Sequence, residues 1–191
     1  MHRDDPTSQT QPPAIRRRLR LRFFRFAGDR RGSAAVEFAI VSLPFLALLG
    51  AIFESAIAFL AGQVLDTAVS DAARLIRTGQ AQAAGYNASA FSTQVCNRLY
   101  AFFDCGGLSI DSKVYTSFSS IPTTSPIDSN KNFSTSGFTF QMGGSSDIVV
   151  VRVFYQFPVN FNYLGLNLAN LANGKRLLSG TAAFRNEPFP W

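Results

Sequence analysis

The chain has 191 residues and a formal net charge of +6. The excess is local: nine Arg in residues 1–31 outweigh Asp4, Asp5 and Asp29, whereas residues 32–191 carry nine basic and nine acidic groups. The charge therefore does not argue for an acidic partner of a folded domain. With His2 as the single His, a His-based nucleophile or a zinc site has no support.

Residues 1–13, rich in Thr, Gln, Ser and Pro, read as disordered. The stretch that follows, Arg16 to Phe26, interleaves Arg with Leu and Phe. Such a pattern can hold single-stranded nucleic acid through phosphate contacts and stacking. It equally suits anionic lipid headgroups. Its position a few residues before an apolar run favours the second use. Arg16, Arg17, Arg18, Arg20, Arg22 and Arg25, with Arg30 and Arg31, are thus read as membrane-surface residues, with no nucleic-acid partner expected.

From Phe38 to Phe53 the chain carries no charge. That segment makes ~24 Å of helix, short of a ~30 Å hydrocarbon core, and continuing through Ser55–Leu60 supplies the missing length. A buried core helix would have the same length, but apolarity on every face favours lipid. A secretory signal would be shorter and would not sit behind a long polar leader with Glu37 at its start. The expected layout is a basic cytoplasmic leader over 1–32, a transmembrane helix over 33–62 and an exported domain over 63–191. The Arg excess on one flank puts the N-terminus in the cytoplasm. Pro44 is expected to kink the helix, since it cannot donate to the carbonyl of Ile40.

Gly32 follows Asp29-Arg30-Arg31, and Glu37 is the fifth residue after it. A basic segment, a Gly, a few small residues and a Glu opening an apolar helix resemble the processing site of type IV prepilins. The stretch Arg31-Gly-Ser-Ala-Ala-Val-Glu-Phe-Ala-Ile40 more specifically resembles TadE-like proteins, which help assemble the Flp (tight-adherence) pilus. The resemblance implies cleavage after Gly32 by a prepilin peptidase, so that Ser33 becomes the N-terminus. It also implies roles for Glu37, Phe38 and Glu54 in recognition and assembly. On the residues alone, Gly32 can equally be a plain helix-preceding glycine and Glu37 a headgroup-level carboxylate. Glu54, ~25 Å beyond Glu37 along the helix, reads as a boundary residue or as a polar contact to a neighbouring membrane helix.

The helix is expected to continue to about residue 78, where Thr78-Gly79 ends it. Val64/Leu65, Ala68/Val69, Ala72 and Leu75/Ile76 form an apolar stripe, read as packing on the chain's own domain or as helix–helix assembly. Asn87 can cap a second helix from Ala88 to about Phe103, with Phe91, Val95, Leu99 and Phe102 on one face and Gly106-Gly107 after it. Leu108–Tyr115 reads as a strand, 116–137 as a surface loop and Phe138–Met142 as a short strand. Asp147–Phe157 is the clearest strand, with Val149, Val151, Val153, Tyr155 and Phe157 on a buried face and Arg152 and Gln156 pointing away. Arg176–Arg185 is the last. Helices first and strands afterwards imply an α+β fold with a small antiparallel sheet, pilin-like in outline. The Val149–Tyr155 strand and the Arg185-Asn-Glu-Pro188 ending also resemble TadE-like proteins.

Cys96 and Cys105 are expected to form a disulfide in an exported domain, worth ~2.5–3 kcal/mol by chain entropy. A redox-active pair is the competing reading. No constellation of residues supports an enzyme, a cofactor or a metal site. The expectation is a minor pilin or assembly factor in the bacterial inner membrane. Its partners would be a prepilin peptidase, related minor pilins, the inner-membrane pilus platform and copies of itself. The alternative is an unprocessed, single-pass anchored domain that binds an envelope ligand.

Overall fold

The computed structural model describes residues 32–100, 103–160 and 167–190. The Arg residues at 16, 17, 18, 20, 22, 25, 30 and 31, and Phe102, lie outside the described residues. The chain divides into two units, Met1–Leu46 and Ala47–Trp191. In the first, every described residue from Ser33 on is helical, and Phe38, Ile40 and Leu43 are exposed. In the second, α1 (Ser33–Arg77) continues into an α+β domain with α2 (Gln80–Ala83), α3 (Ala88–Cys96), β1 (Leu108–Tyr115), β2 (Ile148–Pro158) and β3 (Lys175–Arg185). The helix is unbroken at Pro44.

α1 stops where its sequence runs into Thr78-Gly79. Thr78 donates its N–H to the Arg74 carbonyl at 3.0 Å, and Gly79 then turns left-handed at φ 78°. Glycine takes that conformation without a Cβ penalty. α3 starts as the sequence predicts, with the Asn87 side chain accepting from the Ala90 N–H at 2.8 Å. It ends earlier than expected, at Cys96, because the backbone tightens into i→i+3 turns at Arg98 and Leu99.

The three strands form an antiparallel sheet in the order β1-β2-β3. Val149, Val151 and Val153 of β2 are fully buried in one cluster with Leu65, Val69, Ala72 and Ile76 of α1 and Phe91 and Val95 of α3. The stripe on α1 is thus used by its own domain. Gly180 of β3 makes the packing close. A Cβ there would lie 2.9 Å from Val69 Cγ2 and 3.0 Å from the Leu65 carbonyl oxygen.

Three sequence expectations change. The second face of β2 is buried as well, with Ile148, Val150 and Phe154 each below 5% exposure. The segment read as a surface loop brings Phe133 and neighbouring Phe138 onto Phe154, with ring centroids 5.8 and 5.4 Å away. Aromatic burial of this kind covers a face that would otherwise be wet. Phe138–Met142 is not a strand. It contributes a single parallel bridge, Ser112 to Phe140, along the outer edge of β1. Arg152 does not point into open water: it lies opposite Asp111 in the β1–β2 register and pairs with it.

Candidate functional site

α1 begins at Ser33, directly after Gly32. One turn on, Glu37 Oε1 accepts a hydrogen bond from Ser33 Oγ at 3.0 Å. Ser33, Glu37 and Phe38 are all exposed, Phe38 to 75%. Gly32 has open space where a Cβ would stand, and its backbone is not left-handed. Among the described residues, nothing around it requires a glycine.

Glu54 stands farther along the same helix, on the side that carries Ala51, Ala58, Ala61 and Leu65 into the domain. Its Oε1 accepts from the Asn160 backbone N–H at 2.6 Å, just past the end of β2. A carboxylate held by a backbone donor is a strong, charge-assisted contact. The sequence reading offered a boundary residue or a contact to a second helix; within the chain, Glu54 ties α1 to the segment just past β2.

Cys96 and Cys105 are bonded, with their Cα atoms 5.7 Å apart. The bridge joins the end of α3 to the turn that opens β1. There Asp104 accepts from the Gly106 N–H at 3.1 Å, and its own N–H reaches the Tyr155 hydroxyl at 3.1 Å.

Two polar clusters escaped sequence reasoning. Asp111, 3% exposed, accepts from the Thr139 N–H and pairs with Lys113 Nζ at 3.2 Å and Arg152 Nη2 at 3.4 Å. Hollows beside this pair are lined by Thr124, Ser125 and Asp128. The signal was a charge on each of two strands, readable only once their register is known. At the other end, Gln82 Nε2 donates to the Ile76 and Met142 carbonyls, and Asn186 Nδ2 to those of Met142 and Gly144. The Glu187 N–H bonds the Arg77 carbonyl at 2.8 Å, which fastens the chain after β3 to the end of α1. These groups are engaged in holding backbone, and Asp111 is neutralised by two cations. Among the described residues no group of three or more His, Cys, Asp or Glu is placed to hold a metal.

Residues 32–74 match the family model described as TadE-like protein. Over that segment the chain is similar to TadE-like proteins. The matched segment opens on Gly32 and takes in Ser33, Glu37, Phe38 and Glu54. The likeness drawn for β2 and the Arg185–Pro188 ending lies beyond its limit. That match suggests a Tad (Flp) pilus-associated protein, of a kind that is in general non-enzymatic. Among the described residues α1 is the one helix long and apolar enough to cross a membrane, and it fits a single-pass anchor. No curated protein and no solved structure matches the chain.

Proposed function

We propose that the protein is a minor pilin or assembly factor of a Flp-type pilus, cut by a prepilin peptidase between Gly32 and Ser33. The observation that carries this reading is a glycine that its own chain does not need, placed at the first residue of the TadE-like segment and one residue before α1. A peptidase at the cytoplasmic face needs backbone to approach its catalytic groups closely, and the missing Cβ allows it. Arg30 and Arg31 would hold the bond at that face, because their charge does not enter hydrocarbon. Cleavage removes all nine Arg of residues 1–31 and leaves an ammonium on Ser33.

Glu37 is within reach of that terminus, since its carboxylate already bonds the Ser33 side chain. In low dielectric an ammonium–carboxylate pair strengthens several-fold over water. In an assembly the Glu37 of a neighbouring subunit would neutralise the Ser33 ammonium, with Phe38 packed beside it. The partners are then the peptidase, related minor pilins, the inner-membrane platform and further copies of the chain.

The test is the mass of the protein extracted from membranes of pilus-producing cells. A chain starting at Ser33 is expected. Gly32→Ile should block the cut, whereas Glu37→Ala should permit it and reduce piliation. A leader still attached in those cells overturns the reading and favours an unprocessed anchored domain.

A further inference from the structure

Two markers of the outer membrane boundary disagree along α1. The first acidic residue after the apolar run is Glu54, which alone would end the span there. The free face of the helix nevertheless stays apolar past it: Ile57, Phe59 and Leu60 are 41%, 71% and 49% exposed. Ser55 is exposed too, but its hydroxyl is spent on the Ala51 carbonyl at 2.8 Å; from Gln63 onward the exposed positions turn consistently polar, at Asp66, Thr67, Ser70 and Asp71. Six residues of helix, ~9 Å, separate the two markers.

From these observations we propose that the bilayer follows the free face to Leu60 and that the base of the domain is seated in the headgroup layer. The inference rests on α1 crossing the membrane and is independent of processing. Glu54 does not end the span because it faces the domain: its carboxylate is held by the Asn160 N–H at 2.6 Å, on the side where Ala51 and Ala58 are buried. A half-buried carboxylate with a backbone donor on it is turned toward the domain and away from the lipid-facing side. Length agrees. Residues 33–53 make about 31 Å of helix, enough for a ~30 Å hydrocarbon core, and residues 33–60 about 42 Å, the thickness of a bilayer with its headgroups. The exposed apolar collar is continuous with the span, so lipid is the occupant that needs no further partner. Phe59, a ring on the free face, sits at headgroup depth.

The experiment uses the full chain in phosphatidylcholine–phosphatidylglycerol vesicles, with a nitroxide placed in turn by Ile40→Cys, Phe59→Cys and Thr67→Cys. All three positions are exposed on α1, so labelling leaves the core intact. Collision with oxygen and with a water-soluble nickel chelate reports the surroundings. Oxygen should dominate at 40 and the chelate at 67, with 59 between the two. Chelate access at 59 equal to that at 67, with oxygen dominant at 40, overturns the seating and leaves the span. Protection from both agents at 59, with spin–spin broadening, overturns it in favour of a second copy on this face. Chelate access at 40 removes the span itself.

Discussion

Gly180 sits where β3 passes under α1, and its replacement is governed by backbone. An added Cβ would meet the Leu65 carbonyl oxygen at 3.0 Å and the Asp66 Cα at 3.2 Å, neither of which can swing aside like the end of a side chain. Overpacking of this kind costs about 1–3 kcal/mol. Gly180→Ala should lower the melting temperature of the domain by several degrees. Gly62→Ala, with nothing within 4 Å of its Cβ, should not lower it, because alanine favours the helix interior. Thermal unfolding of the two variants side by side decides the matter. Asp128 gives a pH prediction. Its carboxyl titrates below the ordinary value of 3.8, first because the Asn132 N–H donates to it, against an opposing effect of desolvation, with further help from the Asn132 side chain and the Asn130 N–H. A depressed folded pKa means that the turn is supported above the unfolded value and loses that support as pH falls through the folded one. The Asn132 amide resonance should therefore report a midpoint below 3.8, and Asp128→Asn should abolish that transition.

At the scale of elements, α1 was the most legible part of the chain, since unbroken apolarity followed by a 3.6-residue stripe announces both its exposed apolar half and the half packed on the domain. β2 was half legible. Its alternating Val149, Val151 and Val153 marked one buried face, but Ile148, Val150 and Phe154 are buried by a Ser/Thr-rich segment whose few aromatic residues follow no period. Asp111 was missed for the same reason: a charge on a strand looks solvated until the partner strand supplies Arg152. The early end of α3 had no Gly or Pro to signal it. The candidate site along α1 was readable as a motif; what Glu54 bonds was not, because Asn160 lies 106 positions away. The disulfide belongs to this scale too. It pins the end of α3 to the start of β1, and closing so short a loop contributes ~2.5–3 kcal/mol. Freshly isolated membranes should yield protein that resists thiol alkylation until reduced, and Cys96→Ser should lower its envelope level. Thiols that alkylate without reductant would contradict this.

For the whole molecule the decisive quantity is which side of the membrane holds the domain. The nine Arg of residues 1–31 argue for retention of the N-terminus in the cytoplasm, and the charge-balanced remainder offers no resistance to export. A reporter that is active only outside the cytoplasm, fused after Trp191, should be active. Activity from a cytoplasm-dependent reporter at the same place would reverse the topology, and with it the placement of Gly32 before a cytoplasmic-face peptidase.

The contact between α1 and β3 also sets a clock. Asp66 and the Thr181 N–H that it binds are 115 positions apart, and Gly180 beside them closes on Leu65 and Val69. At ~5–20 residues per second, roughly 6–23 s separate synthesis of the two halves of that contact. Throughout that interval the helix has been delivered but the strand that covers it has not, so Leu65 and Val69 remain open to chaperones and proteases. The domain can close only once nearly the whole chain has been made. If the domain is exported as proposed, a chain stalled part-way would still present that uncovered stripe.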